Sequence, residues 1–334
     1  MRTYILRRLV HAIPVLWGVA TVVFLALHLI PGDPAVALAG EKASAQEIEQ
    51  IREALGLNRP LPEQYLEFLV RTATLHLGRS IRTGGDIAGE LATNFPPTIE
   101  LSVAALCVAL LVGLPAGIVA AIRRRSAVEY VTMLLSLVGI SMPVFWIGLM
   151  LIYWLGARAG WFPLSGTVSN TIDIPPVTHF YTLDALIARD LGAFADVMWH
   201  LTLPAITLST ITMAIVSRMA RSSMLEVLSG EYVVTARAKG LPGPAVVLRH
   251  ALKNALIPVV TVVGLQLGAL LSGAVLTETV FGRVGVGRYI VTGITSRDYP
   301  VVQGTVLLIA IFVVAINLVT DVVYAAIDPR IRYS

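Results

Sequence analysis

Six stretches of this chain are each apolar over about 20 residues, the length a helix needs to cross the hydrocarbon core of a bilayer. They lie at roughly 9–30, 99–121, 131–155, 201–220, 257–280 and 302–326. A backbone inside lipid must satisfy its own hydrogen bonds, so such stretches become helices. The pattern predicts an all-α, polytopic membrane protein with six transmembrane helices. Composition agrees, with 56% hydrophobic and 14% charged residues, where a soluble domain carries about 25% charged. The fourth stretch is the least apolar, being rich in Thr and Ser.

The first stretch has a competing reading. Arg2, Arg7 and Arg8 resemble the basic start of a secretory signal, and Ala35–Gly40 supplies small residues. Its apolar run is long for a signal, and Pro31, Asp33 and Pro34 intervene. An uncleaved anchor is the expectation.

Basic residues in short loops orient such a protein. Arg2, Arg7 and Arg8 precede the first span, and Arg123–Arg125 follow the second. Arg218, Arg221, Arg237, Lys239, Arg249 and Lys253 lie between the fourth and fifth, and Arg330 and Arg332 follow the sixth. With six spans, all four clusters fall on one side, which places both termini in the cytoplasm. The outer loop 281–301 departs from the trend with Arg283, Arg288 and Arg297.

Outside the lipid, 31–98 contains two expected amphipathic helices. Ser44 and Glu47 form a capping box ahead of Ile48, Ile51 and Leu55, and Gly56 stops the helix. Tyr65, Phe68, Leu69 and Thr72 mark a second face after Pro60 and Pro62. Segment 156–200 reads as an ordered loop with one short helix near 182–191. Pro14, Pro115, Pro143, Pro204 and Pro258 each remove a backbone donor and permit a kink. Gly113/Gly117 and Gly264/Gly268 repeat the small-residue spacing that lets helices approach closely.

Several function classes are excluded or weakened. No basic cluster sits on a soluble domain, so nucleic acid is not an expected partner. The six His are scattered, so no metal or other cofactor is expected, and Cys107 has no nearby His in sequence to act as its base. Carboxylates are almost absent from mid-membrane depth, unlike an ion-coupled carrier. No GxxxxGK[ST] phosphate cradle occurs, so any ATP hydrolysis belongs to another polypeptide. In the fourth stretch Thr207, Thr210 and Ser217 are candidates to line a polar pathway; alternatively their hydroxyls bond back to the helix.

The polar unit at 231–258, EYVVTARAKGLPGPAVVLRHALKNALIP, separates two apolar stretches. Ser229 or Gly230 can cap a helix that starts with Glu231 and ends with Arg237 and Lys239, in keeping with the helix dipole. Gly240 ends it, Pro242 and Pro244 bar continuation, and a second basic helix is expected near 245–256.

These residues resemble the cytoplasmic loop of binding-protein-dependent ABC importer permeases, of the dipeptide/oligopeptide/nickel group. YILRRL, PGDP, LGLNRPLPEQY, SMPVFWIG, HLTLPAITL, RDYPVVQG and DPRIR, in that order along the chain, are similar to the same group. The long segment after the first span is similar to its first permease subunit. Gly240 matches the loop glycine, whereas the Glu-Ala-Ala positions read Val234, Thr235 and Ala236, and Pro258 lies further downstream.

The resemblance implies a non-catalytic subunit of a bacterial plasma membrane. Its anchor and external segment would cover 1–98, and a core with a coupling loop at 222–256 would cover 99–334. It implies a second permease chain, two cytoplasmic ATP-binding subunits and an external substrate-binding protein, with 31–98 and 281–301 as docking candidates. Glu231, Tyr232, Thr235, Ala236, Arg237, Ala238, Lys239 and Gly240 would couple the chain to the ATP-binding subunits. Short peptides are the implied solute; the alternatives are nickel or another small solute on the same architecture, or a stand-alone secondary transporter.

Overall fold

The structure, a computed structural model, describes residues 2–29, 34–39, 43–54, 56–74 and 76–327. The DPRIR motif and Pro31–Asp33 of PGDP lie outside them. The regular structure of the described residues is helical, with loops between the helices, the longest at 159–180, and with no strand beyond an isolated bridge between Arg79 and Asp86. Contacts divide the chain into two units, residues 1–98 with 284–315, and 99–283 with 316–334.

The first unit opens with α1 (Arg2–Leu29). Its apolar stretch, Val10–Ala26, is shorter than the expected first span. The helices α2 (Pro34–Ala39), α3 (Ala45–Ala54) and α4 (Leu61–Ala73) follow. The capping box forms as expected. The Ser44 amide donates to Glu47 Oε2 at 2.8 Å, and the Glu47 amide to Ser44 Oγ at 3.3 Å. These bonds to the ionised form hold the Glu47 carboxyl below its ordinary range. On α4, Tyr65 and Phe68 pack on Phe24 of α1 at ring-centroid distances of 5.2 and 5.6 Å. Two further helices complete the unit, α14 (Val286–Thr295) and the first half of α15 (Tyr299–Ile327). Asp298 joins this end together, accepting from Ser80 Oγ at 2.5 Å and from the Arg82 amide at 3.1 Å.

The second unit is a helical bundle around α10 (Leu191–Leu228), whose N-cap Asp190 accepts from the Ala193 amide. The helix begins ten residues before the expected fourth span, inside the stretch expected to be loop. Only α9 (Tyr181–Ile187) precedes it there. Against α10 lie α5 (Ile87–Val108) with α6 (Leu114–Ile122), α7 (Ala127–Ser141), α8 (Val144–Leu151) and α13 (Leu252–Val280). The hydroxyl-rich helix is therefore the central one. Leu101, Ala105, Leu201, Ala205, Leu208, Leu270 and Ala274 form a buried core where α5, α10 and α13 meet.

Among the described residues, four helices are long and apolar enough to cross a membrane singly: Ile87–Ile122, Leu191–Leu228, Gly243–Val280 and Tyr299–Thr320. The expected third span is present as two helices, Ala127–Ser141 and Val144–Arg158, which are apolar enough together but bend by 105° between them. Pro143 causes the break. It cannot donate to the preceding turn, and Met142 before it is extended at φ −90°, ψ 138°. Pro14, Pro204 and Pro258 are accommodated within their helices. Pro115 follows a widened π turn at Ala109–Gly113.

The Gly113/Gly117 pair lies hard against the backbone of α10. A Cβ on Gly113 would lie 2.6 Å from the Met213 carbonyl oxygen, and one on Gly117 would lie 2.3 Å from that of Ser217. Only hydrogen fits there, so α6 rests directly on the backbone of α10. At the other pair, a Cβ on Gly264 would meet Thr320 Cγ2 at 2.0 Å.

Candidate coupling helix and pathway residues

The polar unit folds as a short helix seated on its own chain. α11 (Glu231–Ala238) is capped by Gly230, at φ −70°, ψ 144°; Ser229 instead ends α10. At its other end Gly240 adopts φ +80°, a conformation that L side chains resist. The Leu241 amide bonds to the Ala236 carbonyl at 3.4 Å and the Gly240 amide to Arg237 at 2.9 Å, the paired bonds of a glycine-terminated helix. Pro242 and Pro244 then turn the chain into α12 (Gly243–Ala245).

The basic helix expected near 245–256 is present and runs straight into the fifth span. A π turn over Val246–Ala251 joins α12 to α13, giving one continuous run, Gly243–Val280. Pro258 thus lies inside a helix rather than at the start of a span.

Val233, Ala236 and Val246 are buried together against Leu228. The spacing of 233 and 236 puts one apolar stripe on the inner face of α11. Ala236 is small because it packs closely on the chain itself. Among the other candidates, Glu231, Tyr232, Thr235, Arg237, Ala238, Lys239 and Gly240 are all exposed, as is Val234. Thr235 Oγ1 bonds back to the Glu231 carbonyl at 3.0 Å, and Tyr232 Oη accepts from Asn254 Nδ2 at 3.0 Å. Asn254 and Val246 were not singled out in sequence, because their roles depend on how α13 begins.

A second tie lies nearby. Arg221 on α10 bonds through Nε to Glu129 Oε1 of α7 at 2.7 Å, and the Arg125 amide donates to Glu129 Oε2. This clamps the Arg123–Arg125 turn to the central helix, across 92 residues of sequence.

The three candidate pathway residues sit on α10 and are all buried. Thr207 Oγ1 bonds to the Leu203 carbonyl at 2.8 Å, and Thr210 Oγ1 to that of Thr207 at 2.9 Å. Ser217 Oγ has no hydrogen-bond partner among the described residues. Thr212 reaches across to Gln266 Oε1 of α13 at 3.2 Å.

Two family descriptions match the chain. "Binding-protein-dependent transport system inner membrane component" covers residues 113–333, and the corresponding N-terminal component covers residues 1–102. The chain belongs to this family. It is a non-catalytic, multi-pass permease subunit of the inner membrane. The di/tripeptide transport system permease protein DppB of Pseudomonas aeruginosa is 47% identical over 334 residues, 100% of this chain and 99% of that one. The dipeptide permease DppB of Escherichia coli K12 is 44% identical over 337 residues, with the same coverage of both chains. The glutathione permease GsiC of E. coli O6:H1 is 39% identical over 100% of both. Among solved structures, an inward-facing form of the MetNI methionine ABC transporter aligns with a TM-score of 0.55 and 17% identity, covering 72% of this chain and 96% of that one. At that identity the likeness concerns the fold alone.

Proposed function

We propose that this permease subunit works in an ATP-driven importer of short peptides. It pairs with a second permease chain, two cytoplasmic ATP-binding subunits and an external substrate-binding protein. Both termini are cytoplasmic in this reading, as the arginine clusters favour. The peptide solute is supported by full-length similarity to permeases named for di- and tripeptides.

The observation that carries the mechanism is α11, a polar helix held by an apolar stripe on one side and open on the other. Closure of the ATP-binding subunits would push on the open face formed by Glu231, Tyr232, Val234, Thr235, Arg237, Ala238, Lys239 and Gly240. Val233 and Ala236 pass the push to Leu228, the last residue of α10, and Asn254 passes it from Tyr232 to α13. Rotation of α10 against α6 and α13 would then open a route past Thr207, Thr210 and Ser217. Two of these hydroxyls donate to their own helix, so Ser217 is the one of the three with a donor left to offer a solute. Segments 31–98 and 281–301 are the docking candidates for the substrate-binding protein.

The test is disulfide crosslinking in the reconstituted complex, with Val234→Cys in a Cys107→Ala background and a cysteine on the ATP-binding subunit. An adduct whose yield changes with ATP is expected. Labelling of Val234→Cys only from outside the cell, or no adduct in any nucleotide state, overturns the reading.

A further inference from the structure

The first unit holds a cavity of about 260 Å³ between α1, α4, the 76–81 segment and the start of α15. Its apolar wall includes Phe24, Phe68 and Leu307; its polar wall includes Gln64, Arg71, Arg79 and Gln303. Phe24 lies in the last turn of the apolar stretch Val10–Ala26, and Leu307 lies two turns into the span Tyr299–Thr320. In a bilayer crossed by these two apolar stretches, the cavity would sit where hydrocarbon gives way to water, at the end of α1 remote from Arg7 and Arg8.

We propose that this cavity binds the phosphate headgroup of an anionic phospholipid. Charge points that way. The one carboxylate in the lining, Glu67, is shared by Arg71 at 2.5 Å and Arg59 at 3.0 Å. The Arg79 guanidinium and the Gln303 amide have no side-chain partner among the described residues. A guanidinium fork matches phosphate oxygens two at a time. His28 and His76 add ring nitrogens to the same lining, and His28 Nε2 lies 3.3 Å from Gln64 Oε1. The volume is below the roughly 300–1,000 Å³ of sites that enclose a drug-sized molecule, so it suits a headgroup whose chains remain outside.

A second observation favours a lipid over a free anion. α4 turns Tyr65 and Phe68 toward α1 but leaves Leu66 and Val70 exposed at 61% and 63%. Apolar residues on the open side of a boundary helix are what an interfacial helix places among acyl chains. Glu67 and Arg71, which line the cavity, are the next residues along from this face.

The experiment is native mass spectrometry of the assembled transporter after exposure to phosphatidylglycerol or phosphatidylethanolamine. Preferential retention of phosphatidylglycerol is expected. Arg79→Ala should lower it roughly fivefold, and Arg71→Ala by a similar factor, whereas Arg82→Ala, outside the lining, should leave it unchanged. If either alanine variant fails to assemble, Gln303→Leu and Arg79→Lys provide the same comparison with less disturbance. Equal retention of the two lipids, or unchanged retention in the variants, overturns the proposal. So does occupancy by inorganic phosphate without lipid retention, which would assign the site to a free anion. Loss of stimulation by the substrate-binding protein with lipid retention intact would make it a protein-docking surface and also overturn it.

Discussion

Arg283 donates from Nη2 to Glu100 Oε2 at 2.7 Å, with both side chains almost wholly inside the second unit. The other Glu100 oxygen accepts from the Thr182 amide at 2.7 Å, so one carboxylate ties α5 to the turn after α13 and to α9. Burial pulls the Arg283 guanidinium below its ordinary range, and the charges of Glu100 and Glu278 oppose that shift. Removing one partner of a buried pair strands the other charge and costs about 3–5 kcal/mol, whereas replacing both by apolar residues costs far less. Glu100→Leu alone should therefore lower the thermal midpoint of the purified complex sharply, and Glu100→Leu with Arg283→Met should recover much of the loss. Additive effects in the double variant would refute this coupling.

Gly117 offers a steric test of the bundle. Leucine there would have its Cβ 2.3 Å from the Ser217 carbonyl oxygen and 2.9 Å from the Ala220 Cβ. Backbone cannot yield as a flexible side chain can, so Gly117→Leu should destabilise by about 1–3 kcal/mol or more. Gly18, with open space around its Cβ position, is the control. Denaturation of both variants in one detergent decides the matter, and equal midpoints would contradict the close approach of α6 to α10.

Gly240 separates strain within this chain from contact with a partner. Nothing lies within 4 Å of its Cβ position, but its φ is +80°. Gly240→Ala should cost about 1–2 kcal/mol through the backbone alone. Gly240→Trp should add no further clash within the chain and should insert normally. If α11 works inside a cleft of an ATP-binding subunit, peptide uptake should fall much further for tryptophan than for alanine. Equal uptake by the two variants would argue against such a cleft.

Asp184 makes a pH prediction. Burial tends to raise its carboxyl pKa, but the Thr178 hydroxyl and the amides of Thr178, Val177 and His179 outweigh this, leaving it below the ordinary 3.8. A depressed folded value means the stabilisation is complete above the unfolded pKa and is lost as pH falls through the folded one. The 177–180 loop should hold its amide protection down to about pH 4 and lose it below. In Asp184→Asn, protection should be weaker at neutral pH and nearly independent of pH. Hydrogen exchange of those amides is the measurement, and a pH-dependent loss surviving in Asp184→Asn would assign it to another group.

The helical, membrane-spanning character was legible because lipid imposes a local rule: each stretch near 20 apolar residues has to satisfy its own backbone. Local chemistry also announced the Ser44–Glu47 box and the Gly240 stop, since each is decided within a few residues. Tertiary structure decided what depends on distant neighbours. Thr207 and Thr210 read equally well as pathway lining or as packing until α10 proved to be the centre of the bundle, with their hydroxyls bonded to their own helix. Gly113 and Gly117 carried only a common spacing until Met213 and Ser217 appeared against them. Arg283 looked like an exception to a charge rule in an outer loop, and became a buried partner of Glu100 only when residues 183 positions apart met. Sequence alone sets the periods, caps and solvent of each segment because those forces act over a few residues. Which faces meet, and which charges become buried pairs, belongs to the fold, where close packing is resolved for the whole bundle at once.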